Sequence, residues 1–375
     1  MATGTLIGSA TSVEQGEPIT FTYTTPQSSV TPENRVGLYP DPGNGPVGPP
    51  TRWEHTPHAN GTVSFSTGSL PPGDYVAFSL ANDGSARLAE PARFTVRAVA
   101  QIPPPTFLGA FGRSGRGPVQ FSSPAGLTVD ARGQIWVADT GNDRVQAFTR
   151  DGCLVRVLAG RFKAPQAVAV DRAGNVYVAD TGNNRVVQYS WWGGFSREYG
   201  AGELANPRGV AIDTAGRLLV SDTGHQRVAR FDTLTGKALT DITEKVSSPQ
   251  GIVSDGNGGV WIVHSGRSAS GKVAVVHYDA DGKVLGSIGG DRRSESGGLA
   301  NPAGVALNAG GDAFVTVPDH GWVAQFRTTG PYRTEFGTAG PGALSFPLGI
   351  AVDAQGRIFV ADTGNDRVVH FGVGV

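Results

Sequence analysis

The chain has 375 residues, of which 39% are hydrophobic, 55 are glycine and 25 are proline, and its formal net charge is −1. So much Gly and Pro, with no collagen triplet and with this hydrophobic content, argues against a helical protein and against disorder. It suits many short strands joined by turns. No long Lys/Arg run supplies the electrostatic footprint of a nucleic-acid partner, and no stretch approaches the ~18 apolar residues of a membrane span. The single cysteine, Cys153, sits in an Arg-Asp-Gly-Cys turn and cannot form an intramolecular disulfide. The start, MATGTLIGSATSVEQGEP, has neither the charged n-region nor the apolar h-region of a secretory leader. A native Met1 implies a cytoplasmic protein and a leader removed ahead of it an exported one; the sequence leaves both open.

Residues 1–98 alternate apolar and polar positions in ITFTYTT (19–25), RVGLYP (35–40), GTVSFS (61–66), DYVAFSL (74–80) and ARFTV (92–96). Clusters of Pro, Gly and Asn separate these runs, which is the pattern of a β-sandwich. His55 and His58 read as surface residues. The strings RVGLYP, TRWEH, GTVSF, LPPGDYVAF and NDGSARLAEPARFTV resemble the immunoglobulin-like domain that precedes some calcineurin-like phosphoesterases. The resemblance implies an immunoglobulin-like β-sandwich. No catalytic phosphoesterase motif follows, so that activity does not carry over. Residues 99–105 end in QIPPP, a stiff proline linker.

From residue 106 onward the chain repeats. Pro124, Pro165, Pro207, Pro249, Pro302 and Pro347 open the same phrase at steps of 41, 42, 42, 53 and 45 residues. That is the period of a four-stranded propeller blade. After Pro-x-Gly comes a short run with a small residue inside it: Thr128, Ala169, Ala211, Ser254, Ala306 and Ala351, which suits strands crowding round an axis. Asp-x-x-Gly then makes a hairpin turn, because Asp bonds the backbone ahead of it and Gly accepts positive φ. A second run such as IWVAD or VYVAD ends at Thr-Gly-Asn, and a third such as RVQAF or RVVQY follows. The last phrase has no fourth strand. The segment PTFLGAFG (105–112) supplies it, because it resembles REYG, GSIG and TEFG at the outer positions of other repeats. The expected ring is closed and has no free edge.

The phrase VADTGNNRV, with its Pro-x-Gly and Gly-x-Val/Ile-Tyr-Val elements, resembles the NHL repeat family over residues 106–375. The resemblance implies an all-β, six-bladed β-propeller. It includes binding modules, sensors and one enzyme type, the peptidyl-hydroxyglycine amidating lyase, whose zinc-binding histidines directly follow the blade prolines. Here those positions hold Ala125, Gln166, Arg208, Gln250, Ala303 and Leu348, so that activity is not assigned.

Candidate site residues are departures from the repeat, since a neutral scaffold has no reason to vary on one side only. His225 and His320 stand where other turns have Asn142, Asn183 and Asn365, and His264 stands in an Asp slot. With Gln166, Arg208, Gln250, Arg267, Asp319 and Trp322 they make a polar sector on blades two to five, at the channel mouth. The expected function is a binding protein for a small-molecule or protein ligand. The alternative is a lyase- or cyclase-type enzyme using His225, His264 and His320 as acid/base groups and Arg208 as an anion binder. The cofactor stays open; a divalent metal is considered but not favoured, because the three turns lie far from the axis. The Asp/Arg pairs 139/144, 180/185, 222/227 and 362/367 occur together or are lost together, which marks a structural contact, here taken as exposed. Trp191-Trp192 falls on the opposite face, as packing or as a partner patch.

Overall fold

The structure is a computed structural model and describes residues 4–41, 50–68, 70–81, 86–98, 102–265, 275–289, 299, 301–330 and 332–372. Among the described residues every regular element is a β-strand or a single 3-10 turn. The chain divides into two compact units, Met1–Gln101 with Thr329–Pro331, and Ile102–Thr328 with Tyr332–Val375.

The first unit contains a three-stranded sheet, in the order Thr5–Gly8, Pro18–Thr24, Asn60–Ser66, and a five-stranded sheet. The latter runs Ser12–Glu14, Ala92–Arg97, Gly73–Leu80, Arg35–Pro40, Arg52–His55. Period-two alternation turns Ile19, Phe21 and Tyr23 inward from Pro18–Thr24, while the intervening threonines stay on the other face. Their partners include Leu38, Tyr75 and Phe94 of the larger sheet, so the core lies between the two sheets. Phe21 meets Phe65 and Phe94 edge to face, with centroids 6.1 and 5.7 Å apart.

The second unit contains six four-stranded antiparallel sheets among the described residues. The first is made of Pro124–Val129, Ile135–Asp139, Arg144–Phe148 and Leu154–Ala159, in that order. The second to fifth follow the same order, with innermost strands Ala167–Val170, Pro207–Ile212, Pro249–Ser254 and Val305–Leu307. The sixth takes Pro347–Val352, Ile358–Asp362 and Arg367–Gly372, and adds Thr106–Phe111 as its outermost strand. Innermost strands touch their neighbours in cyclic order, the sixth returning to the first. Second strands such as Val176–Asp180 do not alternate. They are buried along their whole length because neighbouring sheets cover both faces.

Candidate ligand-binding site

The Pro-x-Gly phrase sets the channel mouth. Innermost strands approach backbone to backbone at the glycine: a Cβ added to Gly209 would lie 2.3 Å from the Gln250 carbonyl oxygen, and one added to Gly349 lies 2.4 Å from that of Ala125. Only a residue without a side chain accepts that approach. The residue between Pro and Gly then lines the mouth, and Ala125, Gln166, Arg208, Gln250, Ala303 and Leu348 form its rim.

Below the rim, Leu127, Val168, Val210, Ile252, Val305 and Ile350 face the channel from both ends, and all six are buried. They form an apolar waist. The rim and waist enclose a funnel of ≈ 130 Å³, well under the roughly 300–1,000 Å³ of a drug-sized pocket. The far mouth encloses ≈ 280 Å³.

Among the described residues, Arg208 is the one formally charged side chain lining the funnel. Its Nη1 donates to Gln250 Oε1 at 3.1 Å, and Gln250 Nε2 donates to the Ser248 carbonyl at 3.2 Å. Gln250 is thereby turned so that its oxygen meets the guanidinium. The Gln166 amide has no hydrogen-bond partner among the described residues and remains open to a ligand. Three adjacent sheets thus bring Gln166, Arg208 and Gln250 to one side of the funnel, opposite Ala303, Leu348 and Ala125.

The turns joining second and third strands lie apart from this lining. Asp139, Asp180, Asp222 and Asp362 are fully buried, which corrects the expectation of exposed Asp/Arg pairs. Each Oδ2 accepts from Nε of Arg144, Arg185, Arg227 or Arg367 at 2.6–2.8 Å. Each Oδ1 accepts a backbone N–H from the loop before the innermost strand, at Ser122, Lys163, Ala205 or Ser345. These third partners draw the carboxylates inward.

His225 donates from Nδ1 to Asp222 Oδ2 at 2.9 Å, the place taken by Asn142, Asn183 and Asn365 on their aspartates. It is a turn clasp. His264 ends its strand opposite Pro249, as Asp139 does opposite Pro124, and inherits the buried position. Burial pushes its pKa down from 6.5 to about 4, so the ring is neutral at pH 7, with Tyr278 Oη 3.4 Å from Nε2. His320 is exposed and lies against Trp322 at 4.6 Å, and Asp319 accepts from Asn301 Nδ2 at 2.6 Å. None of these five lines the funnel. Arg267 lies outside the described residues. No group of three or more His, Cys, Asp or Glu side chains among the described residues is arranged to hold a metal ion.

A larger cleft of ≈ 410 Å³, absent from the sequence reading, opens at the Asp-x-x-Gly hairpins of the second to fourth sheets. Its carboxylates are already engaged, Asp171 with Asn175 and Tyr177, and Asp213 with Arg217.

A family model described as the NHL repeat matches residues 121–148, 162–189, 204–231 and 344–371, which are the first, second, third and sixth sheets. NHL repeat-containing protein 3 of Homo sapiens is 48% identical over 40 residues, covering 11% of this chain and 12% of that protein. The E3 ubiquitin-protein ligase TRIM32 of Homo sapiens is 33% identical over 99 residues, 26% of this chain and 14% of that protein. The chain therefore spans only a small part of either relative. Among solved structures, a catalytically inactive virginiamycin B lyase from Staphylococcus aureus with quinupristin superposes with a TM-score of 0.51 at 13% identity, over 99% of this chain and 100% of that one. This likeness concerns the fold alone. The chain is an all-β protein that carries NHL repeats in a β-propeller.

Proposed function

We propose that the protein is a binding module whose funnel holds one anionic group, a carboxylate carried by a small molecule or a peptide, against Arg208. The observation that carries this reading is the composition of the funnel. Among the described residues it has a single cation, Arg208, flanked by Gln166 and Gln250, above a floor of buried aliphatic side chains. A guanidinium matches a carboxylate with two parallel N–H bonds, and an apolar floor strengthens the pairing by excluding water. The six four-stranded sheets are read as the six blades of one closed propeller, with Thr106–Phe111 completing the last. Residues 1–98 are read as an immunoglobulin-like sandwich, a second adhesive or spacing module joined through 99–105.

The lyase- or cyclase-type alternative draws on the likeness to virginiamycin B lyase. It is less well supported, because its acid/base groups would be a turn clasp (His225), a buried neutral ring (His264) and an exposed side chain tilted against Trp322 (His320), all outside the funnel lining.

Calorimetric titration with small mono- and dicarboxylates and with tripeptides bearing a free C-terminus tests the binding reading. Arg208→Ala is expected to abolish the binding heat and leave the melting temperature almost unmoved, since Arg208 is exposed. The control, Asp180→Ala, is expected to keep binding and lose about 2–4 kcal/mol of stability, since Arg185 and the Lys163 N–H lose their buried acceptor. Binding that survives Arg208→Ala overturns the proposal.

A further inference from the structure

The turn joining the third and fourth strands of the second sheet, Ser190 to Gly194, carries two tryptophans at its apex. Trp191 is 51% and Trp192 65% exposed, although the turn itself is tight. Ser190 N bonds the Gly194 carbonyl and Gly193 N bonds the Ser190 carbonyl, both at 2.8 Å, and Gly193 takes φ +93°. The corresponding turns of the first, third and fourth sheets carry no aromatic residue there: they hold Arg150 and Asp151, Thr233 and Leu234, and Ala280 and Asp281. Nothing in the local fold calls for two indoles. The rings stand perpendicular with centroids 5.8 Å apart. Phe195 on the next strand is also exposed.

Three guanidinium groups border it. Arg132 lies over the Trp191 ring at 5.8 Å, Arg161 over the Phe195 ring at 4.6 Å, and Arg156 Nη1 donates to the Trp191 carbonyl at 2.7 Å. Many other arginines of this unit are paired with aspartates, as in 144/139, 185/180, 217/213, 357/353 and 367/362. Among the described residues, Arg132, Arg156 and Arg161 pair with no carboxylate. The surface therefore offers exposed tryptophan and unpaired arginine together, the side chains that dominate the binding energy of protein interfaces.

We infer that this rim of the first and second sheets docks an acidic segment of another protein. An apolar side chain of that segment packs on Trp191, Trp192 and Phe195, and its carboxylates take Arg132, Arg156 and Arg161. Charge complementarity fixes the sign of the partner. The Arg132 and Arg161 guanidinium carbons lie 5.8 and 4.6 Å from the Trp191 and Phe195 ring centres, so cation and aromatic ring are offered side by side to one ligand. A membrane-binding apex would instead project its apolar tips beyond the cations.

The test uses the full chain and two displayed libraries of 12-residue peptides of matched hydrophobicity. One is rich in Asp and Glu, and the other has Asn and Gln at those positions. Binders are expected from the acidic library alone. Trp192→Ala and Arg156→Gln should each weaken them about tenfold or more, with thermal stability retained and with Leu234→Ala, on the corresponding exposed turn of the third sheet, without effect. Equal selection from both libraries, or binding insensitive to Trp192→Ala, overturns the inference. So does Trp192-dependent sedimentation with vesicles of phosphatidylcholine and phosphatidylglycerol, or Trp192-dependent dimerisation in light scattering.

Discussion

The aspartate that ends four of the six second strands shows what a residue's neighbours in sequence can and cannot reveal. The joint presence and joint loss of Asp and Arg made their contact legible. The depth of Asp139, Asp180, Asp222 and Asp362 was not, because the partner that draws each carboxylate inward is a backbone N–H some way upstream, and a backbone group leaves no signature in composition. The same effect misplaced His264, which reads as a turn histidine and lies buried in an aspartate's slot. Its folded pKa of about 4 against 6.5 unfolded means that the unfolded chain binds more protons between those values. The stability it contributes is complete above pH 6.5 and is lost as pH falls toward 4. Urea unfolding should show on the order of 2 kcal/mol of this loss between pH 7.5 and pH 5. The His264→Gln variant should show a correspondingly flatter dependence; an unchanged slope would mean that another group governs the acid limb.

Strands and turns were legible wherever one repeat explains itself. The runs IWVAD, VYVAD and IFVAD became second strands, and 19–25, 35–40, 61–66 and 74–80 became strands of the first unit. Contacts between repeats were not legible, since both partners look like ordinary turn residues. The threonine of Asp-Thr-Gly is the example: Thr140, Thr181, Thr223 and Thr363 each donate a hydroxyl to the carbonyl of the next sheet's proline, at 2.6–2.7 Å. Three turn residues in the left-handed region add a second tie, from Asp143, Asn184 and Asp366 to the N–H of Ala164, Asn206 and Ser123. The fourth and fifth sheets, which the NHL model does not match, lack this threonine, with Ser265 and Pro318 in its place. At the inner strands the glycines carry the same lesson. Gly209→Ala would push a methyl into the Gln250 carbonyl and should cost about 1–3 kcal/mol in chemical denaturation. The second sheet already has Ala167 in this slot, so Ala167→Gly should change stability far less. Equal effects at the two positions would show that strand crowding is not what selects glycine.

At the scale of the whole molecule, two short strands of the first unit were invisible. Thr5–Gly8 and Ser12–Glu14 are too brief to alternate, and the second pairs in parallel with Ala92–Arg97 from the other end of the unit. Gln166, Arg208 and Gln250 stand out in the sequence because they break a repeat, whereas the narrowness of the funnel they line follows from the aliphatic waist, which does not. The pairing of Thr106–Phe111 with Arg367–Gly372 leads to a truncation test. Deletion of residues 1–104 should leave the second unit folded and cooperative in calorimetry, and deletion of 1–112 should cause aggregation or a large fall in melting temperature. Identical behaviour of the two deletions would mean that the strand is dispensable. The same pairing sets a clock during biosynthesis. The first of these strands leaves the ribosome roughly 250 residues ahead of its partner, a wait of tens of seconds at about 5–20 residues per second. Through that interval the backbone edge of Thr106–Phe111 faces a crowded cell with no mate, and Phe107 has yet to meet Phe371. Slow translation ahead of residues 367–372 would prolong that exposure, so chaperone demand should rise with the time taken to reach that strand.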